Sequence, residues 1–209
     1  MRIKICGLFR EEDIDFVNEA RPDYIGFVFA KSTRQISTSL AQYLRFRLAD
    51  EIVPVGVFVN APIALITELY HNGIISAAQL HGVEDESYIN QLKKQSISTI
   101  RQTRGEPIKV IKTIIHEEIK TKLPLPSNAD YILLDSGAGS GKTFNWDRLL
   151  SLKTKRPWFL AGGIDITNIN KAIDLEPFAL DISSGVETKG VKDRKKILEL
   201  VSIVKGIKK

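Results

Sequence analysis

A thiol and a carboxylate that end two strand-like segments are the first candidates for acid–base chemistry in this chain. Cys6 is the only cysteine among 209 residues and ends segment 2–6, and Asp135 ends segment 131–135. A thiolate can accept a proton and a carboxylic acid can donate one, so the two groups suit general acid–base catalysis on opposite sides of a substrate. Cys6 also has a simpler interpretation, since a lone cysteine is commonly a small buried core residue.

Two segments rich in glycine and serine follow the last two strand-like segments and are typical of a phosphate site. The first contains Gly162 and Gly163, and the second contains Ser183, Ser184 and Gly185. Glycine lets backbone N–H groups approach an anion closely, and the Ser-Ser-Gly run favours a short extra helix that binds phosphate at its N-terminus. The glycine pair alone is equally consistent with a tight turn, but both segments together favour phosphate.

A third glycine-rich segment, residues 137–143, only partly resembles a nucleotide-binding P-loop. The P-loop spacing requires a glycine five residues before Gly141, and this position is Ser136. We therefore predict a loop that closes over the site, with nucleotide binding as the alternative.

These residues need a scaffold, and the chain alternates eight strand-like with eight helix-like segments. The strand-like segments are 2–6, 24–29, 54–59, 77–80, 108–114, 131–135, 158–161 and 178–182. The helix-like segments are 11–20, 39–50, 63–71, 84–94, 117–123, 146–152, 166–174 and 192–204. Such units predict a (β/α)₈ TIM barrel that forms one domain over residues 1–209, and an open doubly wound sheet is the alternative.

In such a barrel the active site lies at the carboxyl ends of the strands. The polar residues and glycines at the predicted ends are Cys6, Asn60, Gln79, His81, Lys112, Asp135, Gly162, Gly163 and Asp181. Neighbouring side chains on a strand face opposite ways, so Ile3 and Ile5 should face the helices. Cys6 should then point into the barrel mouth with Lys4 beneath it.

Charge and composition exclude several classes of partner. The chain has 30 basic and 25 acidic residues, and aromatic residues do not interleave with the basic clusters, so we expect no nucleic-acid partner. No apolar stretch approaches the length of a membrane span, and the N-terminus enters a strand without a signal peptide, which predicts a cytoplasmic protein with no membrane partner. The histidines lack the spacing of metal ligands, so we expect no metal site.

Several short motifs follow one another along nearly the whole chain in the order and spacing of a known family. They are Lys4-Ile5-Cys6-Gly7-Leu8, Lys31-Ser32-Thr33-Arg34, Gln79-Leu80-His81-Gly82, Leu133-Leu134-Asp135-Ser136, Gly139-Ser140-Gly141-Lys142-Thr143-Phe144, Leu160-Ala161-Gly162-Gly163-Ile164, Asp181-Ile182-Ser183-Ser184-Gly185-Val186-Glu187 and Gly190-Val191-Lys192-Asp193. Together they resemble the phosphoribosylanthranilate isomerases of tryptophan biosynthesis.

The resemblance implies a (β/α)₈ barrel and a cofactor-free Amadori rearrangement. N-(5-phosphoribosyl)anthranilate would become 1-(2-carboxyphenylamino)-1-deoxyribulose 5-phosphate in a monomer or homodimer. The implied roles are Cys6 as general base, Asp135 as general acid, Arg34 as ligand of the anthranilate carboxylate, Asp181 as a substrate-positioning carboxylate, and Gly162, Gly163, Ser183, Ser184 and Gly185 as the phosphate site. Arg34 could instead be a surface residue of its loop.

The residue chemistry fits this reaction. Asp135 could protonate the ring oxygen of the ribose, and the thiolate of Cys6 could then remove the proton from the second ribose carbon. A free thiol has a pKa of about 8.5, so we predict that Lys4 lowers the pKa of Cys6. Competing functions are a histidine-pathway aminoaldose isomerase, which would have aspartate in place of Cys6, a metal-dependent pentose-phosphate epimerase, and a non-catalytic sugar-phosphate-binding barrel.

Overall fold

The computed structural model describes residues 1–97, 106–115, 128–135 and 156–206, and its centre is a closed barrel of eight parallel strands. The strands are β1 (Arg2–Cys6), β2 (Tyr24–Val28), β3 (Val53–Phe58), β4 (Ala77–Leu80), β5 (Lys109–Ile115), β6 (Tyr131–Asp135), β7 (Trp158–Ala161) and β8 (Ala179–Ile182). Each strand pairs with the next along the chain, and β8 pairs with β1. Because the sheet closes, the predicted TIM barrel is confirmed and the open sheet is wrong.

Helices follow the strands on the outside of the barrel. They are α1 (Glu11–Ala20), α2 (Thr38–Arg47), α3 (Ile63–His71), α4 (Glu86–Ser96), α5 (Ile169–Asp174) and α6 (Arg194–Gly206). Capping residues set two of the starts, because Ser37 Oγ accepts a hydrogen bond from Leu40 N and Asp85 Oδ1 accepts one from Tyr88 N. The predicted helices 117–123 and 146–152 and the predicted closing loop 137–143 lie outside the described residues.

Strand alternation sorts the apolar side chains into two clusters. Ile3 and Ile5 belong to the outer cluster between sheet and helices, as predicted. The inner cluster fills the barrel and consists of Tyr24, Val55, Ala77, Ile111, Leu133, Phe159, Ala161 and Ala179. Phe178 packs against this inner cluster, with its ring centroid 5.7 Å from that of Phe159. Since β8 begins one residue later, the alternation of the strand does not extend to Phe178.

A short extension after β8 carries residues that matter for the site. The predicted extra helix is a 3₁₀ turn over Ser184–Val186. It is followed by an antiparallel hairpin of β9 (Glu187–Thr188) and β10 (Val191–Lys192). Lys192 was predicted to open the last helix, but it lies in this hairpin and is only 3% exposed.

Among the described residues, none of the helices combines the length and the apolar character that crossing a bilayer would require.

Candidate active site

Cys6 lies at the carboxyl end of β1, in the mouth of the barrel, as the alternation predicted. The residue is 9% exposed, and its Sγ lies against Gly26 of β2. A Cβ placed on Gly26 would be 2.6 Å from Sγ, closer than real Cβ atoms approach another atom. The absence of a side chain at Gly26 therefore makes the space that the thiol occupies.

Lys4 lies two residues before Cys6 on the same face of β1 and is fully buried. Its Nζ donates to both carboxylate oxygens of Asp181 at 2.9 Å and to Oε1 of Gln79 at 2.8 Å. Burial by itself would lower the pKa of Lys4, but the neighbouring Asp181 carboxylate and Cys6 outweigh it and raise that pKa. Lys4 is therefore a permanent buried cation beneath the thiol.

The charge state of Cys6 results from competing effects. Burial raises the pKa of the thiol and is the largest effect, whereas the charges of Lys4 and Lys192 lower it and that of Asp181 raises it. Lys4 thus acts in the predicted direction, but burial outweighs it, so the net shift of the thiol pKa is upward. In the free site at neutral pH the thiol form dominates.

Asp135 lies at the carboxyl end of β6, and the ring of His81 lies beside it. The distance from His81 Nε2 to Asp135 Oδ2 is 3.8 Å. Gln79 Nε2 lies 3.3 Å from His81 Nδ1, and because Gln79 Oε1 accepts from Lys4, this amide nitrogen is the donor. Nδ1 of His81 is therefore the acceptor and its proton sits on Nε2, facing Asp135.

The histidine is neutral in this arrangement. Burial is the largest effect and lowers the pKa of His81, and it outweighs the opposing charges of Asp135 and Asp181. The side chains of Lys4, Gln79 and His81 therefore form a polar connection across the mouth between the thiol of Cys6 and the carboxyl of Asp135. Sequence reasoning placed Gln79 and His81 at strand ends but assigned them no role.

The two predicted phosphate segments lie against each other. Gly162 and Gly163 have φ values of 96° and 66°, a backbone conformation that glycine adopts readily. A Cβ on Gly185 would lie 1.9 Å from the carbonyl oxygen of Ile164, so the two segments touch through backbone. Ser183 Oγ donates to the carbonyl oxygen of Cys6 at 3.1 Å, which joins this region to the thiol.

Arg34 lies beside these groups rather than on the open surface. Its Cδ would be 2.5 Å from a Cβ on Gly7, and its Nε and Nη2 each donate to the carboxylate of Glu187 at 2.7 Å. Glu187 and Lys192 were not predicted as site residues. The hairpin that pairs them turns at Lys189 and Gly190, which both have positive φ, and Gly190 is the part of this turn that the sequence shows.

Two of the predicted strand-end residues, Lys112 and Asn60, both contact Glu84. Lys112 Nζ lies 3.0 Å from Glu84 Oε2, and Asn60 N donates to Glu84 Oε1 at 2.7 Å. These contacts tie the loops after β3 and β4 to β5 at one side of the mouth. The described residues contain no group of three or more histidine, cysteine, aspartate or glutamate side chains that could hold a metal ion.

Comparison with known proteins finds a matching family model and relatives that match over the full length of the chain. Residues 3–203 match the family model described as N-(5'phosphoribosyl)anthranilate (PRA) isomerase. The chain is 45% identical to the N-(5'-phosphoribosyl)anthranilate isomerase of Endomicrobium trichonymphae, over 99% of each chain.

Solved structures agree in fold and in sequence. The chain matches a phosphoribosyl anthranilate isomerase in complex with reduced 1-(o-carboxyphenylamino)-1-deoxyribulose 5-phosphate, with a TM-score of 0.81, 33% identity, and 99% and 100% of the two chains covered. It also matches monomers generated from the dimeric isomerase of Thermotoga maritima, with a TM-score of 0.79, 31% identity and the same coverage. This chain therefore belongs to the N-(5'-phosphoribosyl)anthranilate isomerase family.

Proposed function

We propose that this chain converts N-(5-phosphoribosyl)anthranilate to 1-(2-carboxyphenylamino)-1-deoxyribulose 5-phosphate, with Cys6 as general base and Asp135 as general acid. The observation that carries the proposal is the polar connection through Lys4, Gln79 and His81 between these two groups, at the catalytic end of a barrel whose family carries this activity. The reaction needs one proton donor and one proton acceptor, and no cofactor enters the scheme.

The first step opens the ribose ring. Asp135, as the carboxylic acid, gives its proton to the ring oxygen while the bond between that oxygen and the first ribose carbon breaks. The electron pair of the anthranilate nitrogen forms the second bond of an iminium ion. The burial of Asp135, which is 7% exposed, supports this role because the charged form of a carboxyl group is disfavoured away from water.

The second step moves a proton from carbon. The iminium acidifies the hydrogen on the second ribose carbon, and the thiolate of Cys6 removes it to give an enolamine. The enolamine tautomerises to the ketone by gaining a proton on the first carbon and losing the hydroxyl proton of the second. A proton must then pass from Cys6 back to Asp135, directly or through solvent, before the next turnover.

Three groups of residues are proposed to hold the substrate during these steps. Gly162, Gly163, Ser183, Ser184 and Gly185 would bind the phosphate, which the positive φ values of Gly162 and Gly163 and the close approach of Gly185 to Ile164 support. Arg34 would bind the anthranilate carboxylate, since a guanidinium matches a carboxylate in a bidentate manner. Asp181, fixed by Lys4, would orient the substrate next to Cys6.

The activity itself is tested with the purified protein and N-(5-phosphoribosyl)anthranilate. We expect enzyme-dependent loss of anthranilate-type fluorescence as the ketose forms. A parent protein that gives no turnover would contradict the proposed reaction.

Replacing Lys4 by methionine is expected to move the rising limb of the pH profile of kcat/KM to higher pH. The charge of Lys4 favours the thiolate of Cys6, so its loss raises the pKa of the thiol further and a higher pH is needed to form the base. The variant also leaves Asp181 without its buried partner, which should cost about 3–5 kcal/mol of folding stability. The measurement is the pH dependence of kcat/KM, with thermal unfolding in parallel.

A matched control for this variant is Lys109→Met. Lys109 lies at the amino end of β5 and is exposed, so the same substitution there should leave the pH profile unchanged. A Lys4→Met profile that coincides with the profile of the parent would show that the Lys4 charge does not tune Cys6.

We further propose that the chain acts as one cytoplasmic barrel domain, as a monomer or homodimer. The family's place in biosynthesis supports the location, and the dimeric relative from Thermotoga maritima supports the second oligomeric state. The proposed partner is a phosphorylated small molecule, as in the complex of the relative with a reduced ribulose phosphate.

A further inference from the structure

The contact between Arg34 and Glu187 joins two loops that are 153 residues apart in sequence. Oε1 of Glu187 accepts from Nε of Arg34 and Oε2 accepts from Nη2, each at 2.7 Å. This bidentate pair occupies one edge of the planar guanidinium. Within the described part of the chain no residue accepts a hydrogen bond from Nη1, so the second edge, formed by Nη1 and the other Nη2 proton, is available for a ligand.

Glu187 is itself held by a buried cation. Lys192 Nζ donates to Glu187 Oε1 at 2.7 Å and to the carbonyl oxygen of Ser183 at 3.0 Å. The backbone of Lys192 is fixed in turn, because its carbonyl oxygen accepts from Arg10 Nη2 at 3.0 Å. The carboxylate is thus anchored to the hairpin and to the phosphate segment before it meets Arg34.

The surroundings of Glu187 and Arg34 favour the charged form of both side chains. Burial by itself would raise the pKa of Glu187, but hydrogen bonds from Arg34 and Lys192 outweigh it and lower that pKa. The hydrogen bonds that Arg34 donates to Glu187 are the main reason that the pKa of Arg34 is raised. Both cations therefore favour the ionised carboxylate of Glu187.

We infer that Glu187 is a positioning residue for the proposed reaction, which fixes the guanidinium of Arg34 so that its second edge faces the anthranilate carboxylate of the substrate. The inference rests on the proposed function of Arg34 as the carboxylate ligand. Without Glu187 the flexible Arg34 side chain must be ordered by the substrate itself, and that cost weakens binding. Glu187 does not touch the reacting atoms, so its loss acts on binding of the carboxylated substrate.

The test compares two substrates that differ only in the carboxylate. For Glu187→Gln we expect KM for N-(5-phosphoribosyl)anthranilate to rise by about tenfold, because the loss of one charge-assisted hydrogen bond has an effect of about this size. We expect kcat to change little. KM for N-(5-phosphoribosyl)aniline, which lacks the carboxylate, should stay within about twofold of the parent value because Arg34 then has no ligand to bind. Glu187→Asp keeps the charge but is too short for the bidentate pair, so it should give an intermediate KM and serves as the second variant if Glu187→Gln folds poorly.

Two comparisons separate positioning from a general structural effect. In Arg34→Met, the further change Glu187→Gln should raise KM no more, since Glu187 is inferred to act on the substrate carboxylate through Arg34. Glu19→Gln removes the partner of Arg194 in an exposed pair on the outer helices and is the matched control, with both KM values unchanged. Equal losses with both substrates, or additive effects in the double variant, would overturn the inference. A parent enzyme that does not turn over the anthranilate substrate would instead contradict the proposed function.

Discussion

Replacing Cys6 by serine is expected to lower kcat for N-(5-phosphoribosyl)anthranilate by about 10²- to 10⁴-fold, the usual contribution of a general base. The hydroxyl is nearly isosteric with the thiol, but it holds its proton far more tightly and is a poor base at neutral pH. The phosphate segment is untouched by the change, so a phosphorylated product analogue should still bind with an affinity close to that of the parent. Steady-state kinetics and a binding titration of the analogue measure the two expectations separately.

The same residue allows a chemical control. Since Cys6 is the only cysteine in the chain, modification by a thiol reagent can be followed directly and should inactivate the enzyme in step with labelling. Burial raises the pKa of the thiol, so labelling should quicken as the pH rises above neutrality, and the bound product analogue should slow it. Cys6→Ala should be at least as inactive as Cys6→Ser. Turnover at the parental rate in both variants would remove Cys6 from the mechanism.

The barrel could be predicted from sequence because its elements are defined by local patterns. The bounds of β1, β4, β6 and β7 are those predicted, since each is a short apolar run between polar or glycine-containing turns. The alternation within β1 also placed Lys4 and Cys6 on the inner face, because the apolar side chains of Ile3 and Ile5 fix which face meets the helices. Periodicity thus specified both the element and the direction of its functional side chains.

The features that sequence reasoning missed depend on contacts between distant residues. Lys192 lies in a run of basic residues that was predicted to begin the last helix. In the structure it pairs with Glu187 and is buried. The raised pKa of Cys6 reflects burial by the whole barrel, which outweighs the one neighbour, Lys4, that the sequence pattern could identify. The tautomer of His81 follows from the orientation of Gln79, which the long-range contact with Lys4 decides.

The polar connection across the mouth gives the two proposed catalytic groups different surroundings. Cys6 has the buried cation Lys4 beneath it, which favours its negative form. Asp135 has the neutral imidazole of His81 on one side, with the Nε2 proton pointing toward the carboxyl group. The cation beneath Cys6 therefore supports the proposed role of the thiol as the base.

Replacing Asp135 by asparagine is expected to reduce kcat by about 10²- to 10⁴-fold, because an amide cannot deliver the proton that opens the ribose ring. The substitution keeps the shape of the side chain, so β6 and the substrate site should be preserved and binding of the product analogue should change little. A further expectation distinguishes the acid from the base. A thiol reagent should still label Cys6 in Asp135→Asn, since the surroundings of Lys4 and Asp181 are intact. The measurements are kcat, analogue affinity and labelling rate.

Asp130→Asn is the matched control, because the same substitution then lies just before the amino end of β6, away from the barrel mouth. Asp130 accepts a hydrogen bond from Val110 N at 2.9 Å and pairs with Lys93 at 2.7 Å, so its loss should cost about 1–3 kcal/mol of stability and leave kcat unchanged. If Asp135→Asn retained the parental kcat, or if Asp130→Asn lost as much, ring opening would not depend on Asp135. The proton would then have to come from another group in the mouth, and His81, whose Nε2 proton points at the same space, would be the residue to replace next.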